Sequence, residues 1–368
     1  MRIVVKVGSN VLARKDGTLD VTRMSALVDQ MAELRKQDVQ IILVSSGAVA
    51  SGRSEMKGRV EAGKLDAVSQ RQLFSAVGQA KLVNKYYNFF RDHGIPCGQV
   101  LTTKESLGTR QQYLNQKNCM EVMLDEGVIP IVNENDTISL QELMFTDNDE
   151  LSGLIATMMG AEILIILSNI DGIYTGNPTD PDARLISVVR GEEDLSQYIH
   201  TSKSSFGRGG MVTKYRIARK VASEGVNVVI ANGKRDNILP ELVEAIRKTD
   251  TAKETPTCRC TLFAAAPHEA SSMKRWIAHS EDFSKGALVL NAAAADVVRG
   301  EKAVSVLPVG VAEIRGSFEK HDIVRIVDEA GNQLGVGRVD CDSDKARTLL
   351  GKRGQKPLVH YDYLVLDE

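Results

Sequence analysis

The sequence carries no excess of charge of either sign. Lys and Arg number 46 against 48 for Asp and Glu, a formal net charge of −2 over 368 residues. Nothing general therefore pulls the chain toward nucleic acid or an anionic membrane, and any anion site must be local. Cysteine is scarce: Cys97, Cys119, Cys258, Cys260 and Cys341 are odd in number and contain no CxxC. That usage suits reduced thiols in a cytoplasm better than a disulfide framework or a zinc site. Cys258-Arg-Cys260 is a poor spacing for a metal. Long apolar runs are absent, with none near the roughly 18 residues that suggest a membrane span. The opening MRIVVKVG reads as a strand, with no apolar leader or cleavage site ahead of it.

What is present is the composition of a soluble globular protein, 43% hydrophobic and 26% charged. Strand-like apolar runs recur at Ile3–Val7, Val39–Val44, Gly98–Thr102, Val128–Val132, Ile163–Leu167 and Val226–Ala231, separated by helical patterns. Met24, Leu27, Val28, Met31 and Leu34 mark one such helix, with Asp20 placed to cap it. This alternation predicts an α/β fold with a mostly parallel central sheet covered by helices on both faces. Residues 251–257 read as a polar linker, and from 258 to 368 short alternating runs with Gly and Asn/Asp turns predict a small β-rich domain. The hairpin signal there is Asp328-Glu-Ala-Gly-Asn332.

Ligands of such sheets sit beyond the carboxyl ends of the strands. Those ends are polar or glycine-rich here: Lys6, Gly8 and Ser9 after the first strand, Ser45-Ser-Gly47 after the second, NEND from Asn133, DND from Asp147, Ser168 and Asn169 after the fifth, and SSFGRGGMVTK from Ser204 to Lys214. Glycine-rich turns before helices suit phosphate, since unpaired N–H groups point outward and no Cβ blocks approach. Lys6 and Lys214 beside two such loops suggest phosphoryl transfer. Each signal has a plainer reading. One glycine loop is more often a turn, DND can be a helix cap, and a strand lysine can protect a sheet edge. GRVEAGK, residues 58–64, imitates a P-loop, but Leu65 stands where Ser or Thr would hold magnesium and no strand precedes it.

The segments VVKVGSNVL, VSSGAVASGR, VGQAKL, PIVNENDTI, TDNDELSGLIA, LSNIDGIYT and GRGGMVTK occur in the order and spacing of glutamate 5-kinases, which the chain resembles over nearly its whole length. The resemblance implies an amino-acid-kinase-like α/β/α sandwich for residues 1–250 and a PUA-like domain for 258–368. It implies transfer of the γ-phosphoryl of ATP to the side-chain carboxylate of L-glutamate, the first step of proline biosynthesis, with Mg²⁺ accompanying ATP. Lys6, Asp149 and Lys214 would be catalytic, with Asp149 orienting the two lysines. Ser46, Asn133, Asp136 and Asn148 would bind glutamate, Asp136 facing its ammonium. Lys6, Gly8, Ser9, Ser168, Asn169, Arg208, Gly209, Gly210, Met211, Val212, Thr213 and Lys214 would hold the nucleotide. Asn169 stands where many relatives have Asp, and Arg208 where many have Thr. Glu134, Glu142 and Glu150 receive no chemistry and read as solvent-facing or structural.

The resemblance further implies a homo-oligomer, dimer or tetramer, feedback inhibition by L-proline, a functional partnership with glutamate-5-semialdehyde dehydrogenase, and a cytoplasmic location. Two alternatives are a kinase for another carboxylate, aspartate or N-acetylglutamate, and an RNA-binding protein acting through the PUA-like domain. From 258 to 368 there are 15 Lys or Arg against 16 Asp or Glu, which does not support RNA binding. Trp276 reads there as a packing anchor.

Overall fold

Alternating apolar runs become strands because β-branched residues pack well on a pleated surface. The computed structural model describes residues 1–14, 16–59, 65–138, 147–191, 193, 195–198, 210–267, 272–300 and 304–367. In chain order the elements are β1 (Arg2–Val7), α1 (Ser9–Leu12), α2 (Val21–Arg35), β2 (Gln40–Ser45), α3 (Ala48–Glu55), α4 (Ala67–Asp92), β3 (Cys97–Thr102), α5 (Arg110–Asp125), β4 (Ile129–Glu134), α6 (Asn148–Met158), β5 (Ile163–Ser168), β6 (Val188–Val189), α7 (Met211–Ser223), β7 (Asn227–Asn232), α8 (Ile238–Lys248) and β8 (Thr261–Phe263). There follow α9 (Ser272–Ala278), β9 (Gly286–Leu290), α10 (Ala292–Arg299), β10 (Val311–Gly316), β11 (Ile323–Asp328), β12 (Gln333–Val339), α11 (Ser343–Leu349) and β13 (Val359–Leu366). Two units separate, Met1–Ser106 with Leu114–Glu269, and Leu107–Tyr113 with Ala270–Glu368.

The first unit contains an eight-stranded sheet in the order β3-β4-β2-β1-β5-β7-β8-β6. From β3 to β7 all neighbours are parallel, so their carboxyl ends share one edge. Because β1 is central, Lys6 is no edge residue; it is paired in register with Val44 on one side and Ile166 on the other. Successive side chains alternate faces. Ile3, Val5 and Val7 join Ile41, Leu43, Ile129 and Ile131 in one core with Met24, Leu27, Met31 and Leu34 of α2 and Leu82, Tyr86 and Phe90 of α4. Val4 and Lys6 therefore face the opposite side, where α6 packs over β1, β2, β4 and β5 and α7 packs on β7. Alternation thus puts a cation on the α6 face of the sheet.

The six strands expected of the parallel sheet all form, with ends shifted by one or two residues. Asp20 caps α2 by accepting from the Arg23 N–H at 3.1 Å. One sequence expectation shifts: Thr261–Phe263, placed with the β-rich domain, pairs antiparallel with β7 in the first sheet. Cys260, Leu262 and Phe263 are buried there. A three-residue strand is too short for periodicity to reveal, and its neighbours lie far away in sequence.

The second unit has a five-stranded sheet, β10-β9-β11-β12-β13, with β9 and β11 parallel and the other neighbours antiparallel. Leu288, Leu290, Val306, Val324, Ile326 and Val359 lie in its core. The Asp328–Asn332 turn forms as expected: Asp328 Oδ1 accepts from the Asn332 N–H at 2.8 Å, and Gly331 takes φ +88°. Trp276 is buried, its indole N–H donating to Leu107 O at 3.4 Å. Among the described residues no helix is long and apolar enough to cross a membrane.

Candidate active site

The centre of the site is a carboxylate between two ammonium groups. Asp147 caps α6, its Oδ1 accepting from the N–H groups of Asp149 at 2.9 Å and Glu150 at 3.1 Å. Asp149 is thereby fixed in the first helical turn, where the helix dipole favours an anion. Lys6 Nζ forms an ion pair with Asp149 Oδ1, and Lys214 Nζ donates to Asp149 Oδ2 at 2.9 Å. Relative exposures are 4% for Lys6, 0% for Asp149 and 9% for Lys214. Burial opposes ionisation of Asp149, but Lys6 and Lys214 outweigh it and hold the carboxyl below its ordinary range. Lys6 and Lys214 thus share this one bridging carboxylate, and their ammonium groups stand where a polyanion could be met.

Glycine geometry keeps that charge accessible. A Cβ on Gly8 would lie 3.4 Å from Lys6 Nζ and 3.2 Å from Leu167 O. Gly210 is the N-cap of α7 in extended conformation, and no side chain caps the helix. Met211, Val212 and Thr213 form its first turn ahead of Lys214, where unpaired N–H groups suit an anion. Ser9 opens α1, Ser168 ends β5 and Asn169 follows it, with Ser168 buried and Asn169 exposed. Arg208 and Gly209 lie outside the described residues.

A second group lies at the ends of β2 and β4. Asn148 Nδ2 donates to Ser46 Oγ and to Asn133 Oδ1, both at 2.9 Å, and Asn133 Nδ2 donates to Gln79 Oε1 at 2.8 Å. Asn148 directly precedes Asp149, so this amide network and the ion pair share one helical turn. Asp136 stands beside it but is already paired: its Oδ1 accepts from Arg71 Nε at 3.0 Å and from Arg71 Nη2. Ser75 Oγ donates to Asp136 Oδ2 at 3.4 Å. Arg71, Ser75 and Gln79, absent from the sequence expectations, share one face of α4 at the i, i+4, i+8 spacing. That polar stripe was the available signal. Glu134 is buried rather than solvent-facing, Glu150 pairs with Lys104 at 3.2 Å, and Glu142 lies outside the described residues.

Residues 1–232 match the amino acid kinase family and residues 286–361 the PUA domain. The glutamate 5-kinase of Bacteroides thetaiotaomicron is 64% identical over 366 residues, covering 100% of this chain and 98% of that protein. The chain belongs to the glutamate 5-kinases of the amino acid kinase family. The glutamate 5-kinase of Chlorobaculum tepidum is 43% identical over 370 residues, with 99% and 97% covered. That of Trichlorobacter lovleyi is 36% identical over 378 residues, with 99% and 96% covered. These likenesses run through both family matches, so the chain carries an amino acid kinase region followed by a PUA domain, and both lie within the span shared with glutamate 5-kinases.

The P-loop imitation at 58–64 falls mostly on residues 60–64, which lie outside the described residues. Cys258 and Cys260 are free thiols 3.4 Å apart, Sγ to Sγ. No group of three or more His, Cys, Asp or Glu among the described residues could hold a metal ion.

Proposed function

We propose that the chain transfers the γ-phosphoryl of ATP to the side-chain carboxylate of L-glutamate, giving L-glutamyl 5-phosphate and ADP, the first step of proline biosynthesis. The observation that carries this reading is the Lys6–Asp149–Lys214 ion-pair group, adjoining the Ser46–Asn148–Asn133 amide network within the first turn of α6.

A Glu carboxyl has an ordinary pKa of about 4.3, so the nucleophile is ionised at neutral pH and needs no general base. What the reaction needs is alignment and relief of repulsion between two anions. Lys6 and Lys214 supply the relief. As a carboxylate oxygen bonds to the γ-phosphorus and the bond to the ADP oxygen breaks, charge builds on the transferred and leaving oxygens. Both lysines are already oriented by Asp149, so little reorganisation is required. Gly8, Ser9 and the first turn of α7 from Gly210 to Thr213 take the phosphates, with Ser168 and Asn169 on the nucleotide side. Ser46, Asn133 and Asn148 hold the amino acid, and Asp136 takes its ammonium.

Mg²⁺ fits this donor set as an ion arriving on ATP. Asp147 Oδ2 is buried without a hydrogen-bond partner, and burial and the neighbouring Asp149 charge push its carboxyl above the ordinary range, a strain that a cation would relieve. One open carboxylate oxygen is what magnesium commonly uses beside phosphate oxygens. Bound there it would neutralise phosphate charge. The same reading includes an oligomer of two or four chains, L-proline as a feedback inhibitor, glutamate-5-semialdehyde dehydrogenase as the enzyme that consumes the reactive acyl phosphate, and a cytoplasmic setting.

A coupled ADP-release assay with L-glutamate, L-aspartate and N-acetyl-L-glutamate tests the proposal. Turnover with L-glutamate alone is expected. Preference for either of the others would move the assignment to another carboxylate kinase, and no turnover with any would remove the enzymatic reading.

A further inference from the structure

The pairing of Asp136 carries more than a correction to its surroundings. Its Oδ1 already accepts two donors from the Arg71 guanidinium. An incoming ammonium must therefore meet a carboxylate that is not waiting for a cation. Arg71 also lies 3.9 Å from the Glu134 carboxylate, so leaving Asp136 would not strip it of every anionic neighbour. Its side chain is 26% exposed, against 8% for Asp136 and 5% for Glu134. The long, half-open side chain can swing while the carboxylates stay fixed.

A purely structural role would have Arg71 tie the segment after β4 to α4. Two other bonds already do that. Gln72 Nε2 donates to Thr137 O at 2.9 Å, and Ser75 Oγ donates to Asp136 Oδ2. The guanidinium is thus surplus to the tether. One turn further along each pair of neighbours, Gln79 is bonded to Asn133 through Oε1, while its Nε2 is buried with no hydrogen-bond partner. A buried orphan donor calls for an acceptor. Arg71 and Gln79 Nε2, on one face of α4, are donors suited to an anion, and Asp136 between them is an acceptor suited to a cation.

We propose that Arg71 is a specificity-determining residue of the acceptor pocket. Paired with Asp136 in the free enzyme, it passes to the α-carboxylate of the incoming amino acid while Asp136 takes the ammonium. The proposal rests on reading this pocket as the L-glutamate site. The exchange replaces one ion pair by two and leaves no partly buried charge alone, which matters because an uncompensated buried charge is costly. It selects for a zwitterionic head: a ligand lacking either charge strands Arg71 or Asp136, or leaves their pair unbroken in its way.

The test compares L-glutamate with two probes. One is 4-aminobutanoate, which keeps the ammonium and the reacting carboxylate but lacks the α-carboxylate. The other is glutarate, which lacks the ammonium. Both are read as inhibition constants against L-glutamate, so neither has to be phosphorylated. In the wild type, L-glutamate binding should exceed that of 4-aminobutanoate by about 10- to 100-fold, the range for one hydrogen-bonded charge. Arg71→Ala should abolish most of that preference while keeping the preference over glutarate, with KM for ATP unchanged. Asp136→Asn should do the converse.

Arg71→Lys, which keeps the charge but not the fork, should fall between wild type and Arg71→Ala, and it carries the test if the alanine variant fails to fold. An equal loss of affinity for L-glutamate and 4-aminobutanoate in the Arg71 variants would overturn the proposal and leave Arg71 a structural tether. Absence of L-glutamate turnover in the wild type is a different failure, that of the function itself.

Discussion

Replacing Asp149 by Asn removes one unit of charge and few atoms, and the structure fixes what that should cost. Asp149 is fully buried between Lys6 and Lys214. Without its charge two nearly buried ammonium groups lose the carboxylate that bridges them, and breaking a buried pair in this way typically costs about 3–5 kcal/mol. For a unit of this size that corresponds to a fall in thermal midpoint on the order of 10 °C. Because both lysines lose their common anchor, kcat should also fall by at least about 10²-fold, comparable to losing one preorganised electrostatic contact.

The pH dependence has a definite sign. Asp149 is held below the ordinary carboxyl range, so its contribution to stability is present above about pH 4 and is lost as pH falls through its depressed folded value. The stability gap between wild type and Asp149→Asn should therefore be full near pH 7 and narrow in the acid range. Thermal unfolding from pH 3 to pH 8, with steady-state kinetics at neutral pH, measures both effects. A variant with wild-type midpoint and wild-type kcat would refute the reasoning.

Two further outcomes follow from neighbouring groups. A Cβ on Gly78 would lie 1.8 Å from Ala48 O, so Gly78→Ala must push α4 away from α3. It should destabilise by about 1–3 kcal/mol or more and, because α4 also carries Arg71, Ser75 and Gln79, raise KM for glutamate more than KM for ATP. Thermal unfolding and the two KM values decide it; an unmoved midpoint would contradict the close approach. Asp147 is pushed above the ordinary carboxyl range by burial first and by the Asp149 charge next, while its Oδ1 caps α6. Asp147→Asn keeps the cap and drops the buried charge, so it should leave the midpoint level or raise it. Asp147→Ala should cost about 1 kcal/mol. A larger loss for Asn than for Ala would sink this account of the cap.

Periodicity was enough to read the six strands of the parallel sheet, because all but the edge strand β3 are apolar runs buried on both faces and each is flanked by turn residues. The clustering of Lys6, Asp149 and Lys214 was legible for a related reason: Lys6 lies at the carboxyl end of β1, and Asp149 and Lys214 lie in the first turns of α6 and α7, polar or glycine-led helix starts that the sequence pattern places at the same sheet edge. β8 was not legible, being three residues long and defined only by pairing with β7. Arg71 was missed because its only local signal, a polar stripe with Ser75 and Gln79 on one face of α4, looks the same as a solvated helix face. Only the tertiary approach of Asp136, 65 residues away, gives it a role. For Glu134 the sequence left solvent-facing and structural readings open, and the fold decides for burial, since whether an acid at a strand end meets solvent depends on what folds over it.

The most direct test of the central claim is to trap the product. ATP, Mg²⁺ and L-glutamate are incubated with the protein and hydroxylamine, which displaces phosphate from an acyl phosphate to give a hydroxamate, read as its coloured complex after iron(III) is added. The account predicts hydroxamate at the side-chain carboxylate in step with ADP release, dependent on L-glutamate and lost in Lys214→Ala. ADP released without hydroxamate, or hydroxamate formed equally well by Lys214→Ala, would contradict it.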